Sequence, residues 1–395
     1  MNKTLKAISL FSGAGGMDIG VKQAGFNVIA SVENDPYCCQ TLRANIKRQG
    51  ENTKVIESDI REINLNAMMN ELGVSPGEVD LLFGGPPCQA FSQIGKQKGL
   101  EDERGLLLFQ MIRFAKILIP KIVLIEQVRG LLSAKDRNGK RGGVFKELLK
   151  DLERLDYVAN WQLINAADYG VPQLRKRVFI VATKNRFQFP QPTHCQNDQQ
   201  TSLFTLPHYT KVGEVIRGLS FPAPKGEERE DSHVDVTPDG DRNRIKGVPE
   251  GAYLAAQTHL PKEQRGKLTP KDTTKFLRLS RNKPANTLRC GEIFFHPTEE
   301  RYLTPREYMK IQSFPDEYIL KGPIRGRSGK VRFLDQHRQV ANSVPPPVAK
   351  ILAQEIKNAT ISYSFSDKSF HTRNLTGFGN LSGFLKLVLE TCQVF

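Results

Sequence analysis

The stretch Ala7-Ile-Ser-Leu-Phe-Ser-Gly-Ala-Gly-Gly-Met-Asp-Ile-Gly20 decides the fold. A short β-rich run ends at Phe11, a glycine-rich turn follows, and a helical pattern begins after Gly16. Glycines at a strand-to-helix turn let the backbone approach a ligand closely, and the helix N-terminus favours polar or anionic groups. On its own, this pattern is compatible with a purely structural turn or with any of several nucleotides.

The sequence around this stretch repeats the same alternation. From residue 6 to residue 185, short β-rich runs alternate with helical patterns, which predicts βαβ units around a largely parallel sheet. The predicted strands are Ala7–Phe11, Val28–Val32, Val55–Glu57, Leu81–Phe83, Ile122–Glu126, Gln162–Asn165 and Val178–Ala182. The clearest predicted helices are Leu106–Leu118, Val144–Leu155, Pro305–Gln312 and Pro346–Ile356.

The composition changes after Lys184, which suggests a division into domains. The chain becomes rich in Pro, Gly, Gln and charged residues, and we expect a smaller, irregular domain there. We predict a catalytic and cofactor-binding domain over residues 1–184 and a recognition domain over 185–300. A return segment over 301–358 is expected to complete both domains, and 359–395 is an extension to which we assign no role.

Composition limits the classes of protein that the chain can belong to. No stretch approaches the roughly 18 apolar residues that a membrane span needs, and the first residues lack signal-peptide architecture, so we expect a cytoplasmic protein. The six cysteines show no CxxC spacing, which predicts neither a zinc site nor a disulfide framework.

The net charge of +15 is concentrated in two runs of the sequence. Residues 261–290 carry nine Lys and Arg against two Asp and Glu, and residues 321–340 carry six against one. A single run of this kind is usually a solvated surface. Two runs that bracket other motifs favour a surface for a polyanion, because phosphate contacts need clustered Lys and Arg.

Acidic residues follow the second and third predicted strands. Glu33 and Asn34 come about 20 positions after the glycines, where a carboxylate can accept hydrogen bonds from a ribose. This spacing favours an adenosine-containing cofactor and does not distinguish NAD from S-adenosylmethionine. Asp59 could accept a hydrogen bond from an adenine amino group, although a helix N-cap is the more ordinary role for such a residue.

The stretch Leu81-Leu-Phe-Gly-Gly-Pro-Pro-Cys-Gln-Ala-Phe-Ser92 contains the clearest candidate for a reactive residue. A buried cysteine is usually a small apolar residue. Here, however, Gly-Gly-Pro-Pro stiffens the turn at the carboxyl end of the fourth strand, where open α/β sheets bind ligands. Cys88 is therefore predicted to be a nucleophile that this turn holds in position.

With this motif, the sequence closely resembles the DNA (cytosine-5)-methyltransferase family of bacterial restriction-modification systems over about residues 6–357. The resemblance rests on motifs that occur in the family's order. They are FSGAGG at 11–16, Pro87-Cys88-Gln89, Glu126 in KIVLIEQV, QLRKR at 173–177, RYLTPREYMKIQSFPDEY at 301–318 and Asn342-Ser343 in QVANSVPPPV. It implies a Rossmann-like α/β sheet that uses S-adenosylmethionine, together with a smaller target-recognition domain.

The family's chemistry implies roles for particular residues. Cys88 would add to carbon 6 of a cytosine, Glu126 would hold the base, Arg177 would steady Glu126 and contact the base oxygen, and Arg175 would reach a phosphate. Cofactor contacts are expected from the motif residues at the strand ends. They are Phe11, Ser12, Gly13, Gly15, Gly16, Glu33, Asn34, Asp59, Ile60, Pro86, Asn342 and Ser343.

The implied substrate is a cytosine flipped out of double-stranded DNA, because a stacked base cannot present its ring face to a thiolate. The polar segment 89–105 suits a loop that closes over the base, and no metal is needed. Candidate DNA contacts are Gln89, Ser92, Gln93, Arg278, Arg281 and Arg289. His296 is predicted to be structural. We expect a monomer, with a cognate restriction endonuclease as a separate partner.

Two residues depart from the family pattern. Gln127 replaces an asparagine whose amide braces the nucleophile loop, and Ala341 replaces a glycine. The alternatives are a cytosine methyltransferase of the same fold acting on RNA, a catalytically silent DNA-binding protein, and an NAD-dependent oxidoreductase. The last leaves Pro-Pro-Cys and the basic runs without an explanation.

Overall fold

The computed structural model describes residues 4–87, 107–196, 200–201, 204–265, 275–324 and 332–366. The chain divides by its contacts into two units, Met1–Lys357 and Asn358–Phe395. The first unit contains the central β-sheet and the candidate site. Cys88, Gln89, Ser92 and Gln93 lie outside the described residues.

A seven-stranded sheet forms the centre of the first unit. Its strands are β1 (Leu5–Leu10), β2 (Phe26–Glu33), β3 (Lys54–Glu57), β4 (Leu81–Gly84), β5 (Ile122–Val128), β6 (Val158–Asn165) and β8 (Lys176–Thr183). The order across the sheet is β3-β2-β1-β4-β5-β8-β6. The predicted α/β fold is confirmed. The first five strands of that order are parallel, whereas β8 runs antiparallel to both β5 and β6.

Helices accompany these strands in the way that βαβ units require. They are α1 (Gly16–Gln23), α2 (Pro36–Gln49), α3 (Leu65–Leu72), α4 (Gln110–Leu118) and α5 (Gly143–Glu153). Asp35 caps α2 by accepting the N–H groups of Tyr37 and Cys38, and Gly50 ends the helix in the left-handed conformation. Strands β1, β4 and β5 have buried residues on both faces, which explains their continuous apolar sequences.

Between residue 185 and residue 304 the described strands and α-helices are short, and two 3₁₀ helices, Leu254–His259 and Lys262–Gln264, accompany them. The strands and α-helices are β9 (Gln200–Thr201), β10 (Phe204–Thr205), α6 (Val212–Ile216), α7 (Asp239–Ile245) and β11 (Ala285–Asn286). β11 pairs in parallel with β7 (Gln173–Leu174), a two-residue strand that precedes β8. This pairing attaches the irregular region beside the sheet.

The return segment supplies α8 (Pro305–Ile311), α9 (Gln336–Asn342) and α10 (Pro346–Ser366). Thr304 begins α8 with a capping box in which Glu307 is the reciprocal partner. One apolar cluster joins the irregular region to this segment and to α1, since it includes Val212, Leu277, Tyr308, Val340 and Ile19. The separate domains 185–300 and 301–358 remain a prediction.

Candidate active site

The carboxyl ends of β1, β2, β4 and β5 face one cavity with a volume of about 1470 Å³. Parallel strands present their carboxyl ends at the same edge, and ligands of open α/β sheets bind there. Two groups of predicted residues line this cavity: the glycine-rich turn on one side, and Glu126 with Arg175 and Arg177 on the other. The structure therefore brings the two predicted halves of the site together.

The glycine-rich turn needs its glycines for close packing. Gly13 and Gly15 have φ angles of 54° and 77°, which favour glycine. A Cβ on Gly15 would lie 2.7 Å from the Tyr318 hydroxyl, and a Cβ on Gly16 would lie 2.3 Å from the Val344 carbonyl oxygen. The Tyr318 hydroxyl also donates to the Ala14 carbonyl at 2.8 Å. The return segment therefore packs directly on this turn.

Glu33 ends β2 with its carboxylate held by backbone donors. One oxygen accepts the Gly13 N–H at 2.7 Å, and the other accepts the N–H groups of Asn34 and Asp35, each at 2.9 Å. Burial raises the pKa of Glu33, and these three N–H groups partly oppose the shift. The carboxylate is thus fixed beside the turn at the cavity wall.

Asp59 and Ile60 follow β3 and are not among the residues that line the cavity. The Asp59 side chain accepts the Arg61 N–H and pairs with the Arg61 guanidinium, which lowers the pKa of Asp59. It therefore forms the N-cap that the sequence favoured as its more ordinary role, here at the start of the short 3₁₀ helix Ile60–Glu62. Because the Ser58 N–H donates to the Glu33 carbonyl at 3.0 Å, Asp59 still lies near the end of β2. Its contact with adenine remains a prediction.

The return segment also contributes to the cavity wall. Asn342 ends α9, and its side-chain oxygen accepts the Cys290 thiol at 2.8 Å. Ser343 donates its hydroxyl to the Gln339 carbonyl at 2.8 Å. Ala341 lies inside α9 and is buried, so the residue that replaces the family's glycine has an ordinary helical conformation.

Glu126 and Arg177 form the ion pair at the other side of the cavity. Arg177 Nε lies 3.0 Å from Glu126 Oε1, and the antiparallel pairing of β5 with β8 aligns the two strands. The Glu126 Oε2 atom lies against Gly85, where an added Cβ would be only 3.2 Å away. The carboxylate is therefore held between the arginine and the loop that follows β4.

Gln127 braces this loop in spite of its extra methylene. The side chain is completely buried, and its amide nitrogen donates to the Pro86 carbonyl at 2.8 Å. Pro86 and Pro87 line the cavity and immediately precede Cys88 in the sequence. The longer side chain thus makes the kind of contact that the family's asparagine is expected to make.

Polar side chains connect the QLRKR segment to the return segment. The Gln173 amide donates to the Gln312 side chain, whose own amide donates to the Ser343 carbonyl. Arg175 is buried, and one of its guanidinium nitrogens donates to the Ala341 carbonyl at 2.9 Å. This arrangement links the base side of the cavity to the cofactor side. Sequence reasoning did not single out Gln312, although it lies within the matched motif at 301–318.

The three arginines predicted to contact DNA have different surroundings. Arg278 is buried, and its guanidinium donates to the carbonyls of His296, Val248 and Glu299. Arg281 is exposed and pairs with Glu250 at 3.3 Å. Arg289 lines the cavity and pairs with Glu292 at 3.3 Å. Of these three arginines, Arg289 is the one that borders the site.

Two further side chains of the cavity region were not anticipated from the sequence. Asp18 is buried under the glycine-rich turn, and Arg129 lies on the cavity wall three residues after Glu126. The signal for Asp18 was a carboxylate among the apolar residues of α1.

Two negative findings concern the described residues. Their His, Cys, Asp and Glu side chains form no cluster that could hold a metal ion. None of their helices combines the length and the apolar character that crossing a membrane requires.

Comparisons with known proteins agree on one family. The model of the C-5 cytosine-specific DNA methylase family matches residues 5–358. The chain is 32% identical over 359 residues to the type II methyltransferase M.NgoFVII of Neisseria gonorrhoeae, covering 89% of this chain and 86% of that protein. It is 40% identical over 233 residues to M.AquIA of Picosynechococcus, covering 55% of this chain and 90% of that protein.

Solved structures show the same fold. A protein predicted to be a DNA modification methyltransferase, encoded in an Escherichia coli prophage, has a TM-score of 0.64 at 22% identity. That similarity covers 90% of this chain and 99% of the other. The methyltransferase EhMeth of Entamoeba histolytica has a TM-score of 0.53 at 18% identity, covering 91% of this chain and 99% of the other. At these identities the likeness concerns the fold alone.

Proposed function

Because the chain belongs to the C-5 cytosine-specific DNA methylase family, we propose that it methylates a flipped-out cytosine in a specific double-stranded DNA sequence. Its enzyme class is that of the DNA (cytosine-5)-methyltransferases. The methyl donor in the proposal is S-adenosylmethionine, and the nucleophile is Cys88. The type II relatives support a further step, namely that the modification protects host DNA from a separate, cognate restriction endonuclease.

The observation that carries the proposal is the position of the Glu126–Arg177 pair. It lies at the carboxyl end of β5, against the loop after β4 and across the cavity from the glycine-rich turn. A carboxyl group in this position can accept a hydrogen bond from the amino group of a cytosine and share a proton with its ring nitrogen 3, while the arginine holds the carboxyl group in place. The base and the methyl donor can then meet above the sheet edge.

The residues on the opposite side fit S-adenosylmethionine. The carboxylate oxygens of Glu33 retain lone pairs that can accept the ribose hydroxyls, in addition to the N–H groups that they already bind. The turn from Phe11 to Gly16 brings backbone to the cavity wall, and Gly13 has open space where a side chain would otherwise stand. Asn342 and Ser343 close the same wall. When bound, the cofactor supplies an electrophilic methyl group on a sulfonium.

The chain's own residues would then carry out the base chemistry. The Cys88 thiolate adds to carbon 6, which makes carbon 5 electron-rich, while Glu126 stabilises the ring as charge develops on it. After carbon 5 has accepted the methyl group, it loses its proton to a base. The electron pair left behind re-forms the double bond as Cys88 departs as thiolate. The Cys88 thiolate is thus available again for the next catalytic cycle.

DNA recognition is proposed for the irregular region, which includes the basic run 261–290, together with the second basic run, 321–340, in the return segment. Flipping a base costs a few kcal/mol, so phosphate contacts must hold the duplex while one nucleotide is extruded. Arg289 and Arg175, which both line the cavity, are proposed to lie near the flipped nucleotide. Gln89, Ser92 and Gln93 are proposed to contact the DNA around the vacated position.

Methyl transfer from labelled S-adenosylmethionine to duplex DNA tests the reaction, with tRNA as the competing substrate. We expect transfer to DNA by the wild type and none by Cys88→Ser. A covalent complex should form on DNA that contains 5-fluorocytosine, because the fluorine blocks loss of the carbon 5 substituent. Full activity of Cys88→Ser, or transfer confined to tRNA, would refute the proposal. Bisulfite sequencing of DNA from expressing cells would then identify the modified sequence.

A further inference from the structure

Asp18 is a buried carboxylate beneath the cofactor side of the cavity. It is the third residue of α1, is 2% exposed, and belongs to the residues that form the cavity wall. Its neighbours along the helix, Met17 and Ile19, are apolar. Burying a carboxylate is costly unless it has hydrogen-bond donors or an opposite charge nearby. The stability of buried Asp18 therefore depends on the polar and charged groups around it.

Serine hydroxyls occupy both oxygens of Asp18. Ser9 donates to Oδ2 at 2.9 Å, and Ser31 donates to Oδ1 at 2.7 Å. Ser12 in turn donates to the Ser9 hydroxyl at 2.8 Å. Ser9 and Ser31 belong to β1 and β2, so the carboxylate joins the two strands that end at the cavity. The hydrogen bonds thus run from Asp18 to Ser12, a residue of the glycine-rich turn.

No cation of the described residues forms an ion pair with Asp18. The nearest basic residue on its helix, Lys22, pairs instead with Glu51. Burial raises the pKa of Asp18, and the hydrogen bond from Ser31 and the field of Lys22 partly oppose this shift. The serine donors stabilise the carboxylate but add no positive charge. A cation that enters the cavity would stabilise it further.

We propose that Asp18 is a positioning residue that favours the charged methyl donor over its uncharged product. S-adenosylmethionine carries a sulfonium cation, whereas S-adenosylhomocysteine has a neutral thioether at the same atom. The carboxylate stabilises the cation across the cavity wall, because buried charges interact more strongly than charges in water. The same carboxylate keeps Ser12 and the turn in place through Ser9. Product release is thereby favoured once the positive charge has left.

The inference rests on the proposed function, and calorimetric binding without DNA tests it separately. The ligands are S-adenosylmethionine, S-adenosylhomocysteine and sinefungin, which carries an ammonium group near the position of the sulfonium. In the wild type, all three should bind. In Asp18→Asn, we expect the affinities for S-adenosylmethionine and sinefungin, the two ligands with a cation at this position, to fall about tenfold more than the affinity for S-adenosylhomocysteine. Failure of the wild type to bind any of the three would contradict the proposed function itself.

Matched variants separate charge from packing. Asp80 is also completely buried, but it precedes β4 at the opposite end of the sheet and pairs with Lys121 at 2.6 Å. Asp80→Asn should leave the ratio of the affinities for cationic and neutral ligands unchanged. Ser12→Ala removes the hydrogen bond to Ser9 and leaves both donors of Asp18 in place, so it should weaken all three ligands equally.

A second variant applies if Asp18→Asn is too unstable to bind. The exchange Ser9→Asp with Asp18→Ser returns a carboxylate to nearly the same place, because the two side chains are 2.9 Å apart. This double variant should recover the wild-type ratio. The inference is wrong if Asp18→Asn, or Asp18→Ser alone, weakens the cationic and neutral ligands to the same extent. It is equally wrong if the Asp80 control changes the ratio as much.

Discussion

Glu126 and Gln127 are neighbours on β5 whose side chains have different partners. Side chains alternate between the faces of a strand, so adjacent residues can serve two separate contacts. Glu126 faces the cavity and pairs with Arg177, whereas the buried Gln127 holds the Pro86 carbonyl. A single strand end thus positions both the proposed base-binding carboxylate and the loop that leads to Cys88.

Replacing Glu126 by Gln should slow methyl transfer without unfolding the protein. The amide keeps the size of the side chain but removes the negative charge that pairs with Arg177. We expect kcat to fall by about 10²–10³, the usual effect of removing one electrostatic group from an active site. Single-turnover assays with labelled cofactor would measure this. Glu147→Gln on the exposed face of α5 is the control, and an equal loss in both variants would argue against a specific role for Glu126.

Replacing Gln127 by Leu tests the brace on the nucleophile loop. Leucine has a similar volume but cannot donate, so the buried Pro86 carbonyl would lose its partner. We expect the free energy of unfolding to fall by about 1–3 kcal/mol, with slower turnover, as measured by urea denaturation and methyl transfer. Gln127→Asn should retain part of the stability and part of the turnover if its shorter amide still reaches the Pro86 carbonyl. Wild-type stability and turnover in Gln127→Leu would show that the contact has no such function.

At the scale of elements, α1 and α10 approach each other closely through one glycine. A Cβ on Gly20 would lie 2.4 Å from the Pro346 carbonyl oxygen and 2.6 Å from the Ala349 side chain. The contact places α10 against the helix that begins the cofactor turn. Sequence reasoning predicted both helices but could not predict this contact, because it depends on how distant segments pack.

Gly20→Ala should therefore destabilise the protein even though alanine favours helices. Overpacking usually costs about 1–3 kcal/mol, which exceeds the gain of about 1 kcal/mol from helix propensity. Gly240→Ala is the matched control, because Gly240 lies in α7 and no atom is within 4 Å of its added Cβ. Urea denaturation should show a loss of stability for the first variant and none for the second. Equal stability of the two would contradict the close packing.

The segment before α8 contains a buried histidine with a predictable response to pH. Burial, partly opposed by the nearby carboxylate of Glu307, lowers the pKa of His296 below its ordinary value of 6.5. Its Nδ1 accepts the Glu299 N–H at 3.0 Å, which agrees with a structural role. Below about pH 6.5 the unfolded chain binds a proton at His296, whereas the folded protein binds it only at a lower pH. The free energy of unfolding should therefore decrease as the pH falls towards the pKa of His296 in the folded protein.

The test compares the wild type with His296→Asn, whose side-chain oxygen can accept the same N–H. Urea midpoints measured from pH 7.5 to pH 5 should decline more steeply in the wild type. Parallel decline in the two proteins would show that other groups cause the pH dependence.

At the scale of the whole molecule, the charge is distributed unevenly. The two basic runs account for most of the net charge of +15, and the first contains the exposed Lys275 and Lys283. Each phosphate contact that is lost should reduce the slope of log affinity against log salt concentration by about 0.9. Lys275→Gln with Lys283→Gln should therefore lower the slope by up to about 1.8 in fluorescence-anisotropy titrations of duplex DNA.

The control changes the net charge by the same amount elsewhere. Lys146 and Lys150 are exposed on α5, outside the basic runs, and their replacement by Gln should leave the slope unchanged. If both pairs reduce the slope equally, the effect comes from total charge, and the first basic run is not a specific DNA surface.

By itself, the sequence determined the family, the α/β sheet and the residues at its strand ends. These features depend on residues that are close together in the sequence, because hydrophobic periodicity indicates strands and helices, and short motifs have the residue spacing that the chemistry requires. The antiparallel edge formed by β8 and β6 and the carbonyl contacts of Arg278 were decided by tertiary structure. So were the bonds from Gln173 through Gln312 to Ser343 and from Asp18 to Ser12. Such contacts join residues distant in sequence or on different elements, and no local pattern specifies which polar groups meet once the chain is packed.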